Sequence, residues 1–220
     1  MRFHGDYLHI PRLSIMLQGM ASISNAEQIL RLAGERGLLR ARDLAARRIP
    51  RATLSRLVES GRLVQISRGL YALPGQSRSG QHQLAEIAAR SPNGVFCLLT
   101  ALRFHELTTQ SPREIWLALP NKAHLPKIDY PPMHIVRFSG PALTQGVEAH
   151  VVDGTTINVY SVGETVADYF KYRNKIGLHV ALEALRESRR EKRATNDELW
   201  HFAKICRVSN IMRPYMESIE

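Results

Sequence analysis

Ten arginines, no lysine and four acids fall within residues 24–73, and their placement suits a surface that reads DNA. Arginine carries a planar fork of donors that matches guanine O6 and N7, and one such contact discriminates against other bases by about 1–3 kcal/mol. Arg51 and Arg56 are the candidates for base reading, with the hydroxyls of Thr53 and Ser55 as adaptable donors and acceptors beside them. Arg40, Arg42, Arg47 and Arg48 suit phosphate neutralisation, which gives affinity and salt dependence without sequence information. Arg68, in a tight Ser-Arg-Gly turn, is placed to enter a minor groove.

Three helices and a hairpin must hold these side chains. Ser24 followed by Glu27 has the spacing of a capping box, so a first helix starts there and stops at Gly37. Its apolar face is Ala26, Ile29, Leu30, Leu32 and Ala33. A second short helix is expected over 41–48 with Leu44 and Ala45 inward, and a third from Pro50 to Gly61. In the third, Leu54, Leu57 and Val58 form the buried stripe, which turns Ala52, Ser55, Arg56 and Glu59 outward. Leu63–Ile66 and Leu70–Leu73 read as strands joined at Ser67-Arg68-Gly69. This order predicts a winged helix-turn-helix over 24–75, with the third helix in the major groove and Tyr71 packed beneath the wing. The competing reading is a winged helix that binds protein, its arginines forming a solvated face.

The linker falls at 74–80, Pro-Gly-Gln-Ser-Arg-Ser-Gly. Beyond it helices are expected over 83–90 and 96–105, then strands over 115–119, 134–138, 148–152 and 156–160, the last two joined at Asp153-Gly154-Thr155. Ser161 and Glu164 repeat the capping-box spacing and open a helix to about Tyr172; two more follow over 178–192 and 196–207, then a short one after Asn210. The fold class is therefore α+β: the winged helix precedes a mixed α/β domain, 76–220, around a small and mostly antiparallel sheet. Residues 1–23 show no clear period and form an N-terminal extension; one hypothesis is that translation starts at Met16 or Met20. Mass spectrometry of the natively expressed chain checks this, since an intact N-terminus at Met1 contradicts it.

The net charge of +10 and the pI near 10.1 favour an acidic partner, nucleic acid first. Residues 24–75 hold 10 basic and 4 acidic groups, against 18 and 15 in 76–220, so the surplus is concentrated in the winged helix. Two cysteines, Cys97 and Cys206, fit a reducing cytoplasm, and no apolar run has the length of a membrane span. Nine scattered histidines without ligand spacing predict no metal and no cofactor. No nucleophile elbow, Walker loop, metalloprotease helix or dinucleotide fingerprint occurs, so no enzyme is expected; Asp153 with Glu148 reads as a turn rather than a nuclease pair. The alternation of Glu183, Glu187 and Glu191 with Arg186, Arg189, Arg190, Lys192 and Arg193 reads as a salt-bridged exposed helix.

The run 49–61, Ile-Pro-Arg-Ala-Thr-Leu-Ser-Arg-Leu-Val-Glu-Ser-Gly, followed by Arg68-Gly69-Leu70-Tyr71-Ala72-Leu73-Pro74, resembles the N-terminal domain of the AbiEi antitoxin family. The blocks 97–102, 115–120 and 165–177 look like the rest of that family. The resemblance implies the antitoxin of a type IV, abortive-infection toxin–antitoxin pair, encoded beside a nucleotidyltransferase-like toxin. It implies that the winged helix represses its own promoter on double-stranded DNA, with repeated sites expected. The C-terminal domain then counteracts the toxin, with no stable complex required. Within 165–177, Asp168, Lys171, Arg173, Asn174 and Lys175 are the candidate antitoxin surface, against the reading of a solvated basic helix end. Two rivals remain: a stand-alone regulator whose C-terminal domain senses a ligand or partner, and a nuclease or phosphotransferase carrying a DNA-binding N-terminal domain.

Overall fold

Ser24 Oγ accepts from the Glu27 amide at 3.2 Å and the Glu27 carboxylate accepts from the Ser24 amide at 3.0 Å, so the capping box is formed and starts α1 (Asn25–Arg36). The structure, a computed structural model, describes residues 23–75, 80–108, 110, 113–126, 128 and 130–218. The hypothetical start at Met16 or Met20 and most of the expected linker lie outside the described residues.

Gly37 ends α1 at φ 70°. A two-residue strand that sequence periodicity does not reveal, β1 (Leu39–Arg40), precedes a 3-10 helix over Ala41–Arg47. At three residues per turn Ala41, Leu44 and Arg47 share a face. Leu44 is accordingly buried, whereas Ala45, expected inward, is exposed. Next come α2 (Ala52–Glu59), β2 (Val64–Ser67) and β3 (Leu70–Ala72). β3 pairs antiparallel with both β1 and β2. Ile29, Leu39, Leu44, Leu54, Leu57 and Leu63 form the core beneath these elements.

After α3 (Gly80–Arg90), β4 (Val95–Phe96), α4 (Leu98–Phe104), β5 (Ile115–Pro120), β6 (Met133–Phe138), α5 (Pro141–Thr144), β7 (Val147–Val152) and β8 (Thr155–Tyr160) supply a five-stranded sheet ordered β6-β5-β4-β8-β7. The α+β class holds; within this sheet two pairings are antiparallel and two are parallel. Phe96, expected in a helix, lies in β4, because it and Val95 pair with Leu117 and Ala118 across the sheet. Alternation along the strands divides the apolar residues. Leu117, Leu119, Ile157 and Val159 face α3, whereas Trp116, Ala118 and Tyr160 face the helices that follow. Those helices are α6 (Val162–Ile176), α7 (Leu178–Arg190), α8 (Asn196–Ile205) and α9 (Ser209–Ser218), and they bury Val166, Tyr169, Phe170, Leu185, Leu199 and Met212. On α7, Arg190 pairs with Glu187 as its spacing predicts. None of the helices among the described residues is long and apolar enough to cross a membrane.

The winged helix is seated against α3 and the β7–β8 turn. Ala85 of α3 packs with Leu38, Leu70 and Ala72, and the buried His82 meets Asp153 Oδ2 at 2.9 Å. Asp153 and Gly154, at φ 46° and 64°, make the hairpin turn that the sequence predicts. That turn lies against the end of α1. A Cβ on Gly37 would stand 2.8 Å from Asp153 Cβ, and one on Gly154 2.8 Å from Arg36 Cβ. Gly37→Ala combines this overlap with a left-handed φ that costs an L residue roughly 1–2 kcal/mol. It is expected to lower the thermal midpoint by several degrees, read by circular dichroism, while Gly34→Ala, whose Cβ has 3.6 Å of room, leaves it unchanged or raises it.

Ser161 caps α6 by accepting from the Glu164 amide at 3.4 Å, but the Glu164 side chain does not return to complete the box. It turns into the core beside Asp168, and both are fully buried. Burial pushes the Glu164 carboxyl up to about 8, with the nearby Asp168 adding to the rise, and burial pushes Asp168 up to about 7. Between the ordinary carboxylate range and these values the folded chain holds protons that the unfolded chain has released, so stability falls as pH rises. In EDTA-containing buffer the midpoint is expected to drop between pH 5 and pH 8, and Glu164→Gln to flatten that drop. An equal drop in the variant contradicts the assignment.

Candidate nucleic-acid interface

The core of the winged helix fixes which way α2 faces. Leu54 and Leu57, 2% and 3% exposed, point into it, which leaves Ser55, Arg56 and Glu59 on the open side. The first turn is built tightly: the Thr53 amide donates to Pro50 O at 3.1 Å and the Leu54 amide to Arg51 O at 3.0 Å. Arg51 therefore sits at the N-terminus of α2 with its side chain exposed.

The wing is tied to the segment before α2. Arg40 pairs with Leu70 across β1 and β3, and the Ala41 amide donates to Gly69 O at 2.8 Å. Gly69 has φ 76°, so the turn needs glycine there. These bonds bring Arg40 and Arg42 beside Arg68 at the wing tip. Together with Arg51 and Ser55 they line an open cleft of about 730 Å³, joined by Gln65 and Tyr71 from the wing and Arg90 from α3.

Among the described residues, five arginines line this cleft and no carboxylate does. Outside it, Arg42 Nε is 4.0 Å from Asp43, and Arg90 is held by Glu86 and donates to Ile66 O at 3.2 Å. Arg40 is half-buried; its Nε has no hydrogen-bond partner among the described residues, and desolvation with the neighbouring Arg42 lowers its pKa. A guanidinium in that setting is stabilised by an incoming anion. The groove between the start of one helix and a hairpin tip thus concentrates positive potential.

The nine residues expected at the interface divide. Arg51, Ser55, Arg40, Arg42 and Arg68 converge on the cleft. Arg56 is exposed on α2 but does not line the cleft, Thr53 is half-buried, and Arg47 and Arg48 are exposed at the end of the 3-10 helix. Gln65 and Arg90 carried no sequence signal, since Gln65 alternates along a short strand and Arg90 arrives from another element 24 residues beyond Ile66. Tyr71 is half-buried against the core as expected, and it also borders the cleft.

Residues 27–74 match the AbiEi antitoxin family of transcriptional regulators. The matched segment contains the whole wing, α2 and four of the five cleft arginines. The crystal structure of the RV2827C protein from Mycobacterium tuberculosis is similar to the chain at a TM-score of 0.56 and 18% identity, over 82% of this chain and 71% of that one. At that identity the likeness is one of fold. No curated protein matches the chain.

On the second candidate surface, Lys171, Asn174 and Lys175 are exposed at the end of α6, and Lys171 lies 4.6 Å over the Phe138 ring. Asp168 does not belong there. It is 0% exposed, because it stands one turn from Glu164 on the face of α6 that meets the core.

Proposed function

We propose that this chain is a DNA-binding antitoxin regulator of the AbiEi type, acting in the cytoplasm, which represses its own promoter through residues 24–75 and counteracts a nucleotidyltransferase-like toxin through residues 76–220. The observation that carries the DNA-binding half is the cleft at the N-terminus of α2, lined by Arg40, Arg42, Arg51, Arg68 and Arg90 and, among the described residues, by no carboxylate. The match of residues 27–74 to AbiEi regulators supports the same half. The cleft suits one reading: α2 in the major groove, with Arg51, Ser55 and, further along the same exposed side, Arg56 at base edges, Arg40 and Arg42 on phosphates, and Arg68 at the adjacent minor groove.

The test is binding of the purified chain to a fragment of its own promoter at 50 and 200 mM salt. With Arg47 and Arg48 joining Arg40 and Arg42, neutralising about four phosphates gives a log–log salt slope of roughly −4, so affinity falls on the order of 10²-fold over that range. A scrambled fragment binds more weakly at both salts. Equal binding to both fragments overturns the operator reading. For the toxin half, Lys171→Ala/Lys175→Ala is expected to leave promoter binding intact and to lose rescue of growth on toxin co-expression; full rescue removes this surface from the proposal.

A further inference from the structure

Glu164 and Asp168 lie one turn apart on the buried side of α6, and Cys206, at the end of α8, faces both. The Cys206 Sγ is 3.5 Å from Glu164 Oε1 and 3.4 Å from Asp168 Oδ1, and one donor atom from each of the three residues lies within 4.8 Å of the others. The two carboxylates are 0% exposed and Cys206 is 4% exposed. Their remaining oxygens, Glu164 Oε2 and Asp168 Oδ2, have no hydrogen-bond partner among the described residues. Leaving a buried polar atom unmatched is unfavourable, so two such atoms on neighbouring carboxylates of one buried cluster point to a ligand that satisfies them.

We propose that Glu164, Asp168 and Cys206 form a site for a divalent cation of the zinc class. Three features of the cluster agree. With Zn–S near 2.3 Å and Zn–O about 2.0–2.2 Å, the sulfur–oxygen edge of a tetrahedral site is about 3.5 Å, the spacing that both carboxylates keep from the thiol. A mixed thiolate and carboxylate set favours zinc over magnesium or calcium, which prefer oxygen donors alone. The charges also favour a cation: once binding has released their protons, a thiolate and two carboxylates sum to −3, and a divalent cation reduces this to −1.

Three protein donors leave one tetrahedral position for water or a further donor. The cation ties α6 to α8 inside the core and acts structurally, holding the helix whose far end carries Lys171 and Lys175. The sequence spacing predicted no metal because it relies on histidines and close cysteine pairs. Here no histidine among the described residues takes part, and Cys206 lies 42 and 38 residues from its partners.

The full-length chain, stripped with EDTA, is titrated with Co²⁺ and then with Zn²⁺. One equivalent of Co²⁺ is expected to produce a thiolate-to-cobalt charge-transfer band that Zn²⁺ abolishes. The band persists in Cys97→Ala, disappears in Cys206→Ser, and needs at least tenfold more Co²⁺ in Asp168→Asn. In Cys97→Ala the only thiol is Cys206. Absence of the band in that variant overturns the proposal even if Cys206→Ser fails to fold, and so does persistence of the band in Cys206→Ser.

Discussion

Arg51→Ala/Arg56→Ala is expected to weaken binding to the promoter fragment by on the order of 10²- to 10⁴-fold, from the loss of two contacts each worth about 1–3 kcal/mol. The single variants divide this loss unequally. Arg51 stands at the N-terminus of α2 and shares the cleft with Ser55, Arg40, Arg42 and Arg68, whereas Arg56 is one turn further along and outside it. Arg51→Ala therefore accounts for the larger share and brings operator and scrambled affinities together. Arg40→Ala behaves differently: as a phosphate contact it lowers affinity for both fragments alike and reduces the salt slope by about 1. Fluorescence anisotropy on the two fragments at two salt concentrations separates the outcomes. If Arg56→Ala alone removes discrimination, base reading is centred further along α2 than the cleft indicates.

Phe170→Ala should be the most destabilising of the single substitutions considered. Its ring is fully buried between α6 and α9, with Tyr215 at 5.7 Å between centroids. Truncating a buried phenylalanine costs about 3–5 kcal/mol, a large part of the roughly 5–15 kcal/mol that keeps a domain folded. For a chain of this size the midpoint then falls by roughly 6–20 °C, measurable by calorimetry. Phe170 belongs to a different core from Ile29, Leu44 and Leu54 beneath the winged helix. Below the new midpoint, promoter affinity is thus expected to stay within about twofold of the original, since distant sites act additively. A parallel loss of affinity shows that the contact of Leu38, Leu70 and Ala72 with Ala85 couples the two cores.

Local signals located most elements. The Ser24 to Glu27 spacing placed the start of α1, the 54, 57 and 58 stripe oriented α2, and Asp153-Gly154 placed the β7–β8 turn. Where these signals misled, a contact distant in sequence decided. Phe96 has the apolar neighbours of a helix but pairs with Leu117, and β1 is two residues long and exists because β3 offers it an edge. Glu164 carries the same capping-box spacing as Glu27, yet only Glu27 closes the box. Cys206 and Asp168 lie beside Glu164, and a core environment redirected the side chain.

The sequence alone determined that residues 24–73 form an arginine-rich winged helix with α2 turned outward, because periodicity, caps and turns act over three or four residues and need no partner. The tertiary structure alone decided which arginines share a cleft, that Arg90 and Gln65 join them, and that Asp168 is buried beside Glu164 and Cys206. Those outcomes depend on the pairing of strands and helices far apart in the chain, whose register and approach no local pattern encodes.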